Sequence, residues 1–212
     1  MITFKTCMHS TLALLLLIPF CMGQAQTRNT VSQTPKFTIN TNLLYDATAS
    51  MNLGVEAKLG NRVTLKLPVT YNPWEHPYPF GYPWKDQGED NKKFKFVMAQ
   101  PELRWWLCEP FYGSFFGLHA HGALFNVGGV GTNWMKDYRF EGYLYGAGLS
   151  YGYQFYLAPR WNLELSIGGG YVFLNYDRYG KCQTCGDPEK PNQKEHHLWP
   201  TQAGVTLIYI IK

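Results

Sequence analysis

The chain has 212 residues, of which 17% are aromatic and 16% charged, with 21 glycines and a formal net charge of +4. That length suits one folded domain, and the small, scattered positive balance excludes the basic footprint of a nucleic-acid-binding protein. No stretch approaches eighteen consecutive apolar residues, so the sequence holds no membrane-spanning helix.

The segment Met1–Ala25 has a basic front at Lys5, an apolar run from Leu12 to Phe20 and small residues at Gly23 and Ala25. This is the pattern of a secretory signal peptide cleaved after Ala25, too short to span a bilayer. Cys21 follows the bulky Phe20, where lipoprotein processing requires a small residue. Residues 26–36 read as a flexible polar leader, and 37–212 as the folded domain.

From Phe37 onward, side chains alternate between the two faces of extended segments, as period-2 patterning requires of strands. Eight segments are expected: Phe37–Asp46, Met51–Leu59, Val63–Tyr71, Phe94–Leu107, Phe111–Phe125, Glu141–Leu157, Trp161–Asn175 and Leu198–Ile211. Pro101 sits inside the fourth and implies a bulge or an unpaired ladder position. The sixth is the clearest. Tyr143, Tyr145, Ala147, Leu149, Tyr151, Tyr153, Phe155 and Leu157 alternate there with glycines, Ser150 and Gln154. Tyr145 and Tyr153 stand ~26 Å apart at ~3.3 Å per residue, matching the apolar band and aromatic girdles of a transmembrane strand. A soluble core rarely takes so many tyrosines, since each buried hydroxyl needs a partner.

Connection lengths give the topology. Gly60-Asn61, Cys108–Pro110 and Ala158–Arg160 are short, whereas Asn72–Lys93, Val127–Tyr138 and Tyr176–His197 are long. With the N-terminus on the periplasmic side, every short turn falls inside and every long loop outside, as in outer-membrane barrels. The expected fold is therefore all-β, an eight-stranded antiparallel transmembrane β-barrel in the cell outer membrane. The soluble alternative is a secreted barrel binding a small apolar ligand.

The last strand carries Gln202-Ala-Gly-Val-Thr-Leu-Ile-Tyr209, a polar-x-Gly-x-x-hydrophobic-x-aromatic pattern that resembles the sorting signal read by the barrel-insertion machinery. The chain departs from it by ending Ile210-Ile211-Lys212. With Thr38-Ile-Asn-Thr-Asn-Leu-Leu-Tyr-Asp46, Asn52-Leu-Gly-Val-Glu56 and Gln100-Pro-Glu-Leu-Arg-Trp105, the mature chain resembles small outer-membrane barrels of the OmpA/OmpX kind. More closely, it resembles a Bacteroidetes family of such barrels, a domain of unknown function. The resemblance implies a link to fimbria-type surface systems and assigns no activity.

The inward faces hold Glu56, Lys58, Lys66, Glu102, Arg104 and Glu164, charges of both signs that must pair in a narrow interior. The expected role is a charge network that fills the lumen. An eight-stranded barrel has room inside only for side chains, which argues against an open pore. His119 and His121, at i and i+2, share a face as a metal pair would, but no third ligand accompanies them and a place in the polar network is expected. Gly148-Leu-Ser150-Tyr-Gly152 fits the nucleophile-elbow pattern but lies mid-strand, where the required strand-to-helix turn is absent.

Cys182 and Cys185 lie in the last long loop. In an oxidising compartment they are expected to form a local disulfide, with a zinc site including His196 and His197 as the alternative. Cys108 is left over as a free thiol. Trp74, Tyr78, Phe80, Tyr82 and Trp84 sit between prolines in an ordered loop contact surface, a lid or a headgroup-level girdle. No catalytic residue, metal or cofactor is assigned. The expected function is a structural or surface-interaction role through the long loops, with outer-membrane lipid and a surface protein or polysaccharide as partners. A lipid-modifying enzyme and a minor channel are the competing classes.

Overall fold

A computed structural model describes residues 35–73, 93–128, 138–180 and 188–211. The strands are β1 (Phe37–Asn42), β2 (Met51–Lys58), β3 (Val63–Asn72), β4 (Lys93–Ala99), β5 (Glu102–Trp106), β6 (Gly113–Gly128), β7 (Arg139–Ala158), β8 (Trp161–Tyr179) and β9 (Lys190–Ile211), with a short helix α1 (Leu43–Ala47) after β1. All pairings are antiparallel. β4 and β5 lie end to end between β3 and β6, and β1 pairs with both β2 and β9. The single sheet therefore closes in a ring of 8 strands.

Pro101 has no N–H, and it divides the fourth expected strand into β4 and β5. The neighbours bridge the gap: Gln100 N donates to the Pro68 carbonyl at 3.1 Å and Ala120 N to the Pro101 carbonyl at 3.0 Å. The register therefore continues unbroken past the proline. Followed from Thr38 through Glu56, Lys66, Glu102, His119, Gly148 and Gly170, the pairings arrive at Trp199, whereas Thr38 itself pairs with Ile210, eleven residues on, the stagger that a tilted closed sheet requires.

Polarity is inverted relative to a water-soluble core. Among the described residues, 6 hydrophobic side chains are buried against 19 polar or charged ones, and 31 large hydrophobics are exposed. The paired tryptophans of β5 show the alternation directly: Trp105 is 64% exposed and Trp106 0%. Along the outside run Leu53, Leu103, Phe116, Leu118, Leu149, Leu165 and Ile167, all exposed.

Several inward positions are glycine because the next strand sends a large side chain across them. A Cβ at Gly117 would collide with the Ser150 hydroxyl and the Glu102 carboxylate, and one at Gly148 would lie 2.7 Å from His119 Nε2. At the short-turn end, Trp106, Phe111 and Phe115 form a buried aromatic cluster with ring centroids 4.9 and 6.2 Å from Trp106. Phe111 adopts φ +67, in the left-handed region that bulky residues avoid. Its carbonyl accepts a 2.8 Å bond from Asn162 Nδ2, which fixes the turn against β8.

Three boundaries differ most from the sequence expectation. The first strand stops at Asn42, because its side chain accepts from Leu44 N and starts α1 across Leu43–Ala47. Thr41 Oγ1 reinforces the turn by donating to Asp46 at 2.7 Å. β8 continues to Tyr179, and β9 begins at Lys190 rather than Leu198. The expected long loop from Tyr176 to His197 is thus largely strand. Both faces of that stretch are polar, so it carries no apolar alternation to read. Cys108, expected as a free thiol, is disulfide-bonded, since sequence separation does not limit which thiols a fold brings within bonding distance.

The packing at Gly117 leads to a prediction. Gly117→Val should lower stability by about 1–3 kcal/mol through overpacking. Gly60→Ala, whose new Cβ meets only Val63 Cβ at 3.9 Å, should stay within about 0.5 kcal/mol of the parent. Thermal unfolding of the two variants checks this.

Candidate functional site

The chemistry-bearing side chains converge inside the ring. β5 supplies Glu102, Arg104 and Trp106 on its inner face, β2 Glu56, β3 Thr64 and Lys66, and β8 Glu164, because each occupies the inward phase of its strand. Arg104 is fully buried and meets three carboxylates. Its Nε donates to Glu102 at 2.8 Å, its Nη1 to Glu56 at 3.2 Å, and its Nη1 and Nη2 to the two oxygens of Glu164 at 2.7 and 2.9 Å. The last is the bidentate fork geometry available to arginine and not to lysine. Lys66 Nζ adds a second cation on Glu164 at 3.1 Å.

Neutral groups complete the cluster. Thr64 Oγ1 donates to Glu56 at 2.5 Å and accepts from Trp106 Nε1 at 2.8 Å. The Ser150 hydroxyl donates to Glu102 through a short contact. Gln202 Nε2 reaches both Glu102 oxygens at 3.4 Å. The Arg104 guanidinium also stacks 4.2 Å over the Phe115 ring, which joins the ionic layer to the aromatic cluster beneath it. Glu164 lies across the ring from β2, β3 and β5, so these bonds tie strands that share no backbone ladder.

Of the six expected charges, five meet in this cluster. Lys58 occupies the same face near the end of β2 but is only half-buried, and it joins no ion pair among the described residues. His119 and His121 point inward with ring centroids 5.8 Å apart. His119 Nε2 bonds to Thr201 Oγ1 at 2.8 Å. Thr201 is the extra residue of a bulge in β9, between Gly168–Gln202 and Gly169–Pro200, and the bulge turns its hydroxyl inward. Among the described residues no three candidate ligands cluster around a metal position.

Ser150 lies mid-strand in β7 and its hydroxyl is committed to Glu102, so the local glycine pattern does not present it as a nucleophile. His196 and His197 diverge: the first contacts Tyr171 and Phe173, while the second stacks on Trp199 and bonds Glu195 at 2.7 Å. Adjacent strand residues face opposite sides, so these two imidazoles cannot share a metal. Cys182 and Cys185 lie outside the described residues, as do Trp74, Tyr78, Phe80, Tyr82 and Trp84.

Sequence reading missed the network roles of Ser150, Thr64, Gln202 and Thr201, and the Trp106–Phe115 pair. The inward phase of β6 was legible from His119 and His121, which place Phe115 and Gly117 on the same face. Thr201 had no signal, because a bulge is invisible to period-2 patterning. Above the charge cluster lies a cavity of about 30 Å³ lined by Asn40, Asn42, Thr70, Gln100 and Gln202, room for one or two waters.

A network with one partner removed leaves buried charge uncompensated. Arg104→Met should therefore cost about 3–5 kcal/mol. Arg178→Met, which breaks the exposed 3.2 Å pair with Glu189, should cost no more than about 1 kcal/mol. Chemical unfolding of both variants tests the contrast; equal small losses would show that the buried cluster carries little of the fold.

A family model described as "Protein of unknown function (DUF3575)" matches residues 11–211. No curated protein and no solved structure matches the chain.

Proposed function

The chain belongs to the DUF3575 family, and we propose that it is an outer-membrane β-barrel protein that acts through its exposed loops as a structural or surface-interaction component. The observation that carries the membrane reading is the inverted polarity of the closed sheet. A ring with 31 exposed large hydrophobics and a buried layer of ionic side chains is unfavourable in water and favourable in a bilayer, where a closed sheet leaves no unpaired edge in the hydrocarbon. Tyr71, Tyr143, Tyr145 and Tyr171 stand towards the long-loop end and Trp105 and Trp161 towards the short turns, all exposed. They supply the two aromatic girdles at the interfaces.

The signal-peptide pattern at the N-terminus supports export, and the final-strand pattern supports delivery by the barrel-insertion machinery. The interior supports a scaffold rather than a channel. Arg104 and its carboxylates occupy the middle of the ring, and the aromatic cluster of Trp106, Phe111 and Phe115 occupies the short-turn end. No catalytic constellation emerges from Ser150, whose hydroxyl serves Glu102. The aromatic loop at Trp74, Tyr78, Phe80, Tyr82 and Trp84 is the contact surface we assign to a surface-fibre component or envelope polysaccharide, consistent with the resemblance to fimbria-linked relatives.

Folded protein in detergent should migrate differently before and after boiling on a denaturing gel, and should stay with the membrane fraction. A chain that is monomeric and soluble without detergent would overturn the membrane reading. Deleting Tyr78–Trp84 should leave that migration shift intact and abolish crosslinking to the surface partner in whole cells. Conductance of the purified protein in planar bilayers, or an altered envelope lipid profile in the gene deletion, would replace this reading with a channel or an enzyme.

A further inference from the structure

On the outside of the ring, the row of large side chains on β8 is broken by three glycines. Gly168, Gly169 and Gly170 follow one another on β8, beside the bulge in β9, and together they floor an open groove of about 700 Å³. Its walls are Leu149 and Ile167 on one side and Leu198 and Pro200 on the other. Leu198 is 82% exposed, the highest value among the exposed large hydrophobics of the described residues. We propose that this groove seats one acyl chain of an outer-leaflet lipid with a net-anionic headgroup. The proposal rests on the membrane reading above and names a specific lipid site within it.

Position and charge argue for that occupant. At ~3.3 Å per residue and a tilt of ~40°, Trp199 stands about 30 Å from the short-turn end of β9, at the outer limit of the hydrocarbon layer. The groove therefore belongs to the outer leaflet. Above it the outward column of β9 continues through His196 to Lys194. The outward column of β8 continues through Tyr171 and Phe173 to Asn175, its cross-strand neighbours. The surface thus passes from purely apolar walls to aromatic rings and then to a cation, in the order of an acyl chain, glycerol or sugar and headgroup.

The acidic side chains of this region are engaged elsewhere. Glu195 accepts from Tyr176 and bonds His197, Glu189 pairs with Arg178, and Glu141 pairs with Arg139. Lys194 has no ion pair among the described residues. Tyr171 bonds His196 Nδ1 through a short contact. With the tyrosine as donor to Nδ1, His196 Nε2 is left as the ring donor for a headgroup oxygen.

The three glycines are not equivalent, which makes the site testable. A Cβ at Gly168 would lie 2.9 Å from the Leu149 carbonyl, and one at Gly170 would strike the Ala147 carbonyl. A Cβ at Gly169 meets only the Trp199 carbonyl at 3.5 Å, an ordinary contact. Gly169→Phe therefore fills the groove from its floor with the ladder intact. Leu53→Phe, on the exposed outer face of β2, is the control for added bulk.

The experiment is native mass spectrometry of the detergent-folded protein with equal amounts of dimyristoyl phosphatidylglycerol and dimyristoyl phosphatidylcholine. The parent and Leu53→Phe should each retain one lipid above background, with the anionic phosphatidylglycerol favoured. Gly169→Phe should lose at least ~tenfold in retained lipid, and Lys194→Glu should reduce the preference for the anionic lipid by ~fivefold or more. The boiling-dependent gel shift of each variant is read in parallel. Unchanged lipid retention in shifted Gly169→Phe, or equal retention of both lipids by the parent, overturns the groove assignment and leaves the barrel standing. A parent with no gel shift overturns the barrel and the groove together.

Discussion

A guanidinium with no solvent contact must find all of its partners inside the protein, and Arg104 finds them on β2, β5 and β8. An isolated charge in such a place would cost several kcal/mol, so the three carboxylates and the arginine require one another. Backbone ladders hold each strand to its two neighbours, whereas the Arg104–Glu164 fork and the Lys66–Glu164 pair act across the ring. The cluster therefore determines which strands can stand opposite one another, and so helps to select one closed arrangement over a slipped one. A single-residue slip of any contributing strand would send its charge to the apolar exterior.

Filling a ring with ionic groups has a geometric consequence. Long inward side chains from β5 and β6 need space, and β6 and β7 provide it at Gly117 and Gly148. Large and absent side chains thus complement each other across the interior. The aromatic cluster at the short-turn end continues the filling through Phe115, which touches both Trp106 and the Arg104 guanidinium. Apolar packing, the dominant stabilising contribution in a soluble domain, is confined here to a small internal cluster. The outer hydrophobic surface finds its favourable environment in the bilayer, as proposed.

The ends of the ring differ. Short turns keep the strands level at one end, whereas β7, β8 and β9 extend well past the last β1–β9 pair, Asn42–Thr206. The resulting projection carries the polar pairs Tyr176–Glu195 and Arg178–Glu189. Extra length on three consecutive strands presents a polar surface without lengthening the apolar belt, and the outward groove lies where the two meet.

The sequence by itself determined the extended segments, the inward and outward phases of most of them, the positions of the short turns, and five of the charges that meet inside. All of these depend on the two-residue repeat of an extended chain, which is local. It could not place Thr201 against His119, since a bulge breaks that repeat, nor reveal the helix at Leu43–Ala47 within an alternating pattern. It also could not show that Lys190–His197 is strand, because a segment polar on both faces has no period to detect. The identity of the pairs, above all Arg104 with a glutamate 60 positions away, was decided only by ring closure. Which carboxylate faces which cation depends on register and stagger summed over eight strands, and that sum is a property of the closed sheet and of no single segment.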